Sequence, residues 1–167
     1  MEPLEIERKY LIRMPPQEIL EKESVRKIAI RQVYLLPGAG GENRRIRQSR
    51  TGTETVYYYT EKKKLTSVTR IEREREISPE KFRRFLAEAD GERRPIEKTR
   101  WCVPFEGHLL EIDVFPFWED RAFCEAELRA ETEEIRFPGW LRVIREVTED
   151  PRYTNSALAR EIPADPI

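Results

Sequence analysis

Leu4-Glu5-Ile6-Glu7-Arg8-Lys9-Tyr10 alternates apolar or bulky residues with charged ones, a period of two that belongs to a strand rather than a helix. Successive side chains of a strand point to opposite faces, so Glu5, Glu7 and Lys9 project together while Leu4 and Ile6 lie behind them. The same period recurs at 3–12, 29–36, 43–49, 55–62, 69–77, 97–104, 109–115 and 123–129. Between these stretches stand turn signals such as Pro37-Gly38-Ala39-Gly40-Gly41, Thr51-Gly52-Thr53 and Glu106-Gly107-His108. About eight strands at antiparallel spacing point to a barrel or a sandwich.

Helices are fewer. Ser78-Pro79 supplies a cap and a proline at the first helical position for a helix over 79–90. Its residues Phe82, Phe85, Leu86 and Ala89 form one apolar face for packing on the sheet. Shorter helices are expected at 16–23 and 155–161, which makes the class α+β.

A chain of 167 residues forms one domain over 1–167, large enough for a real core. Charged residues make up 38%, against a usual share of about 25%. Seven Phe, six Tyr and three Trp argue for packing rather than disorder, so the excess charge needs a place in the fold. With 31 Lys and Arg against 32 Asp and Glu, the net charge of -1 argues against nucleic-acid binding but leaves room for a small anionic ligand. No apolar signal segment or run of about 18 apolar residues is present, so a cytoplasmic protein without membrane attachment is expected. Cys102 and Cys124 lack metal-ligand spacing and are expected to be reduced, half-buried thiols.

The charges follow the strands. Glu5/Glu7 with Lys9, Arg45/Arg47, Glu72/Glu74, Lys98/Arg100, Glu111/Asp113 and Glu125/Glu127 each share a face at i, i+2, and Lys62 stands singly. The bland account is that these faces look at water, as one side of many antiparallel sheets does. Against it stands their segregation by sign within a strand, since like charges side by side repel unless a counter-ion or ligand lies between them. Clustered carboxylates suit Mg²⁺ or Mn²⁺, and clustered Lys and Arg suit phosphate oxygens. Together they describe a site for a polyphosphate chain. Other phosphate chemistries lack support: the glycines at 38–41 precede no helix, His108 sits in a hairpin turn, and neither cysteine occupies a nucleophile loop.

Glu5-Ile6-Glu7-Arg8-Lys9 resembles the E-x-E-x-K signature of the CYTH superfamily, the triphosphate tunnel metalloenzymes. The order continues through Gln32-Val33-Tyr34-Leu35, Arg45-Ile46-Arg47, Lys62, Arg70 with Glu72 and Glu74, and Glu97-Lys98-Thr99-Arg100. It runs on through Glu111-Ile112-Asp113-Val114-Phe115, Glu125-Ala126-Glu127 and Glu146-Val147-Thr148-Glu149-Asp150 to Arg152-Tyr153 and Asn155. The chain looks most like the short bacterial members, several of which are inorganic triphosphatases. The resemblance implies an eight-stranded antiparallel barrel forming a tunnel with its charged faces inward and a few flanking helices.

By the same resemblance Lys9, Arg45, Arg47, Lys62, Lys98 and Arg100 match positions that grip phosphates. Glu5, Glu7, Glu125 and Glu127 match acids that hold Mg²⁺ or Mn²⁺ or orient the attacking water, with Glu5, Glu7 and Lys9 nearest the chemistry. Asp113 and Glu111 match a further acidic pair near the metals, and Glu72 and Glu74 are further tunnel acids. The expected reaction is metal-dependent hydrolysis of a linear triphosphate, tripolyphosphate first. An organic triphosphate (thiamine triphosphate, a nucleoside triphosphate or a class IV adenylate cyclase substrate) and a non-catalytic polyphosphate or nucleotide binder are the alternatives. Trp101, Trp118 and Trp140 would stack on an organic group, although core packing is their commoner use.

Two local features depart from the pattern. Lys63-Lys64-Leu65-Thr66-Ser67-Val68 joins two strands without the glycine common in related enzymes; in some members a C-terminal helix plugs one tunnel end, a place segment 155–161 could take, with Arg160 on a solvated helix face in preference to a phosphate contact. Exposed apolar strand faces leave room for a homodimer.

Overall fold

The computed structural model of the protein describes residues 4–167. Among the described residues there are nine strands: β1 Leu4–Arg13, β2 Arg26–Tyr34, β3 Asn43–Thr51, β4 Glu54–Lys64, β5 Thr69–Ile77, β6 Ile96–Phe105, β7 His108–Val114, β8 Arg121–Glu127 and β9 Val143–Glu146. Three short helices accompany them: α1 Gln17–Leu20, α2 Pro79–Phe85 and α3 Asn155–Leu158. All eight alternating stretches are strands; Pro3, at the start of the first, lies outside the described residues.

Every neighbouring pair is antiparallel, in the order β5-β4-β3-β2-β6-β7-β8-β1, and β5 returns to β1 to close an eight-stranded barrel. The closure is short, pairing Leu4 with Ile71, Glu5 with Arg70 and Ile6 with Thr69. Beyond it the same edge of β1 passes to β9, which pairs with Tyr10–Ile12. This ninth strand was not legible, because its four residues, Val143–Glu146, are too few to show a period of two.

The barrel is lined differently along its axis. Leu11, Phe115 and Phe123 continue the inward faces of β1, β7 and β8 past their charged residues. They form one apolar cluster with Tyr34, Ile96, Trp118, Val147, Tyr153 and Leu158. That cluster fills one end. On the outside, Ile12, Val103, Leu110, Ile112, Cys124 and Ala126 are covered by Leu20 of α1 and by Leu141, with Ile135, Phe137 and Trp140 packed against them. Val33, Leu35, Ile46, Tyr59 and Ile77 are covered by Phe82 and Phe85 of α2. The apolar strand faces are therefore buried largely within the chain.

Helix α2 starts as its sequence dictates, with Ser78 Oγ accepting the Lys81 N–H at 3.1 Å. It ends at Phe85 and tightens into a 3-10 turn over Leu86–Glu88. Three residues per turn break the 3.6-residue stripe, which leaves Leu86 on the surface rather than on the packed face. The C-terminal helix is likewise shorter than 155–161 and covers Asn155–Leu158.

The glycine-free β4–β5 turn closes through Thr66. Its hydroxyl accepts from the backbone N–H of Val68 (3.2 Å) and Thr69 (3.0 Å), work that a glycine-bearing turn does with backbone alone. Glu131 pins it from outside, accepting from Thr66 at 2.5 Å and Thr69 at 2.9 Å.

Candidate functional site

The barrel interior holds a cavity of about 810 Å³. Twelve of the fourteen residues singled out from sequence line it: Glu5, Glu7, Lys9, Arg45, Arg47, Lys62, Glu72, Glu74, Arg100, Glu111, Glu125 and Glu127. A second cavity of about 320 Å³ shares Arg47, Glu74, Arg100 and Glu111 with the first, so the polar interior continues past these four toward Tyr58, Val56 and Arg26. Lys64, Thr66 and Ser67 bring the glycine-free turn to the rim of the larger cavity, while Thr148, Thr154, Asn155 and Ser156 cap it from the C-terminal segment.

Closure sorts the charges. Acidic pairs stand on β7, β8, β1 and β5, which are consecutive around the barrel; the cations of β4, β3 and β6 form the opposite wall, with Gln32 of β2 between them. Lys9 and Arg70 are the two cations set into the acidic wall. The repulsion implied by like charges at i, i+2 is relieved across strands. Arg70 meets Glu7 at 2.9 Å, Arg100 meets Glu111 at 2.7 Å, and Lys9 stands 3.6 Å from Glu125. Lys62 lies 3.7 Å from Glu5 and 3.8 Å from Glu72, and Arg45 lies 3.9 Å from Glu72. The last four distances are too long for tight hydrogen bonds, so these charges sit near one another with capacity left for a ligand.

Lys98 and Asp113 are placed differently from the expectation that Lys98 grips phosphate and Asp113 holds metal. Both side chains are 0% exposed, they pair at 2.6 Å, and neither lines the cavity. Arg100 adds bonds to the same carboxylate at 2.8 and 3.0 Å. The triad forms because β6 and β7 are in register, with Arg100 opposite Asp113, which brings the two cations to one acid. It orients Arg100 from below.

Three residues of the site had no assigned role. Arg70 was only part of the resemblance, yet it bonds Glu7 within the cavity. Gln32, fully buried, accepts from Arg47 at 3.1 and 3.3 Å and donates to Tyr34 Oη at 2.8 Å, fixing the Arg47 guanidinium. Arg93 bridges Asn43 (3.3 Å) and Ser156 (2.7 Å), two cavity-lining residues, and lies in a segment with no periodicity to announce it. Arg160 pairs with Glu92 at 3.1 Å on the surface and does not reach the cavity. His108 meets Glu133 at 3.1 Å away from it, and both cysteines are free and buried.

The electrostatics divide the acids. Burial, then a proton shared with Glu72, pushes Glu5 up to about 9 against the pull of Lys62. Burial also acts on Glu7, but Lys62 and Arg70 outweigh it and bring its pKa to about 2. Asp113 is held well below the carboxylate range, because Arg100 and Lys98 overcome its burial. Burial, aided by Arg45 and Arg100, lowers Arg47 to about 9. The cavity thus sets an acid of strongly raised pKa beside one of lowered pKa.

Glu5 makes stability depend on pH. Its folded pKa is raised, so between its unfolded value of 4.5 and about 9 the folded protein keeps a proton that the unfolded chain has released. Stability from this group therefore falls as pH rises through that window, with a slope approaching about 1.4 kcal/mol per unit. Glu7 and Asp113, whose pKa values are depressed, act oppositely and lose stability only as pH falls below the ordinary carboxylate range. Urea titrations of metal-free protein at pH 6 and 8.5 are expected to show a smaller decline for Glu5→Gln than for wild type. Equal declines would place the retained proton elsewhere.

Among the described residues, the side-chain atoms that are buried without a hydrogen-bond partner are Glu5 Oε2, Arg45 Nε and Asn155 Oδ1, and all three residues line the same cavity. Buried polar atoms are rarely left unpaired, so this concentration marks where a polar ligand completes the structure. Among the described residues no three Asp, Glu, His or Cys side chains are already gathered as a metal cage. The donor chemistry nonetheless suits a hard divalent ion: carboxylate oxygens on adjoining strands, one of them orphaned at Glu5. Arg70 and Lys9 now hold acids that such an ion would engage.

No protein-family model matches the chain. It is 34% identical over 163 residues, 95% of this chain and 99% of the other, to an inorganic triphosphatase of Nitrosomonas europaea. It is 38% identical over 104 residues, 62% of this chain and 65% of the other, to an inorganic triphosphatase of Acetivibrio thermocellus. Among solved structures it resembles the inorganic triphosphatase NE1496, with a TM-score of 0.59 and 32% identity, covering 95% of this chain and 96% of that one. A Pyrococcus furiosus protein shares the fold at a TM-score of 0.56 and 23% identity, covering 77% of this chain and 80% of that one.

Proposed function

The chain belongs to the inorganic triphosphatases of the CYTH superfamily, and on that premise we propose that it hydrolyses inorganic tripolyphosphate to pyrophosphate and phosphate inside the barrel. The observation that carries this reading is the division of one cavity into a basic wall and an acidic wall, with its three orphaned polar atoms inside. Arg45, Arg47, Lys62 and Arg100 take the phosphate oxygens, and the guanidiniums offer paired donors to each phosphate. The Gln32 and Asp113 bonds hold Arg47 and Arg100 in place before substrate arrives, so little reorganisation accompanies the charge that builds on the leaving pyrophosphate.

Glu5, Glu7 and Glu125, with Glu127 at the rim, are the residues that would hold Mg²⁺ or Mn²⁺. Such an ion would supply Lewis-acid neutralisation of the phosphate oxygens. Glu7, its pKa lowered to about 2, stays ionised near neutral pH and orients a water for in-line attack on the terminal phosphorus. The new P–O bond forms from that water as the bridging P–O bond breaks; the electron pair leaves on pyrophosphate, and the water's proton goes to a phosphate oxygen of the products. Glu5, its pKa raised to about 9, would have to give up its proton to hold an ion, which favours activity above neutrality.

The tryptophans support the inorganic substrate over an organic one. Trp118 lies in the apolar end cluster, and Trp101 and Trp140 pack against the outer one; none lines the larger cavity. The test is phosphate release from tripolyphosphate, ATP and pyrophosphate, with Mg²⁺ or Mn²⁺ and with EDTA. Release from tripolyphosphate that EDTA abolishes is expected. Cyclic AMP from ATP, or tight tripolyphosphate binding without turnover under any metal, would displace this reading.

A further inference from the structure

We propose that Asp165, outside the cavity, is a positioning residue that sets where the Lys9 ammonium stands within it, acting through Tyr153. The kinetic consequence rests on the function proposed above; the placement of Lys9 does not.

Tyr153 is completely buried and is held at both ends. Its backbone carbonyl accepts from Lys9 Nζ at 2.7 Å. Its phenol donates to Asp165 Oδ2 at 2.7 Å. The ring between is flanked by guanidiniums, with Arg145 at 4.9 Å and Arg152 at 5.4 Å from its centroid. Both arginines also reach Asp165 Oδ2, at 2.9 and 3.0 Å. Arg121 adds a bond at 2.6 Å to the Asp165 backbone carbonyl, fastening this segment to β8. A buried ring whose hydroxyl donates to Asp165 and accepts from Arg145 at 3.0 Å, with guanidiniums against it, is restrained along its length, and so is its carbonyl as an acceptor.

Lys9 needs such an acceptor. Glu125 lies at 3.6 Å, beyond hydrogen-bond contact, and the Phe123 ring at 3.9 Å supplies attraction without direction. The Tyr153 carbonyl is therefore the directional bond that aims the ammonium. Asp165 can be removed without stranding charge, because Asp150 also pairs with Arg145 (3.4 Å) and Arg152 (2.9 Å). What is lost is the acceptor for the Tyr153 hydroxyl.

Asp165→Ala and Asp165→Asn are to be compared with wild type and Lys9→Met, alone and combined. In metal-free protein, the Lys9 ε-methylene NMR signal, assigned by its absence in Lys9→Met, is expected upfield under the Phe123 ring current. It should move toward the ordinary lysine position in Asp165→Ala, with an intermediate shift in Asp165→Asn. With tripolyphosphate, Asp165→Ala should lower kcat about fivefold or more with KM changed less, and should change nothing further in the Lys9→Met background. An unmoved Lys9 signal, or the same fold-loss with and without Lys9, would overturn the assignment. If wild type releases no phosphate, the proposed function fails, and the Lys9 signal still decides whether Asp165 places it.

Discussion

Asp113→Ala is expected to lower the stability of the protein by about 3–5 kcal/mol, the range for removing one partner of a buried ion pair. Asp113 and Lys98 are both fully inaccessible, and Arg100 binds the same carboxylate. Removing the acid strands Lys98 in a place that already disfavours its charge: burial, with Arg100 and Arg47 nearby, pulls its pKa down, and Asp113 is the main opposing influence. Arg100 is less exposed to the loss because Glu111 remains at 2.7 Å. Two consequences separate this account from simple loss of packing. Adding Lys98→Met to Asp113→Ala should recover part of the stability, and the deficit should shrink as pH rises and Lys98 sheds its proton. Urea midpoints across the four proteins of this cycle would show both; a double variant no more stable than Asp113→Ala would refute the charge explanation.

The second large effect is expected on turnover. Glu7→Gln preserves shape, and its partner Arg70 is partly solvated, so the fold should tolerate it. Metal-dependent phosphate release should nonetheless fall by about 10²-fold or more, the scale of losing one preorganised charge at a reacting centre. Glu7 is the acid whose pKa Lys62 and Arg70 bring down to about 2, while its strand neighbour Glu5 is raised to about 9 and does not take its place at neutral pH. Turnover at the wild-type rate in Glu7→Gln, with an unchanged urea midpoint, would remove Glu7 from the chemistry. The two variants are thus expected to differ in kind: Asp113→Ala in stability, Glu7→Gln in turnover.

The strands, their inward faces and the acids and bases of the cavity were legible because a period of two is a local property that needs no knowledge of neighbours. Glu5, Glu7 and Lys9 share a face whatever β1 pairs with. Short elements were less legible: β9 has four residues, and α2 loses its stripe where it tightens at Leu86. Arg93 and Asp165 carried no signal, since each acts through partners far along the chain, Ser156 for one and the Lys9–Tyr153 pair for the other.

What the sequence determined by itself is that pairs of like charge recur at i, i+2 on one face of several strands, a pattern that points to counter-charges or a ligand between them. Tertiary structure alone decided how those faces meet. Strand order set four acidic strands against the basic ones, register gave Asp113 to both Lys98 and Arg100 and took Asp113 and Lys98 out of the cavity, and closure raised the pKa of Glu5 while lowering that of Glu7. These are consequences of distance and desolvation between residues remote in sequence, and only the closed barrel defines either quantity.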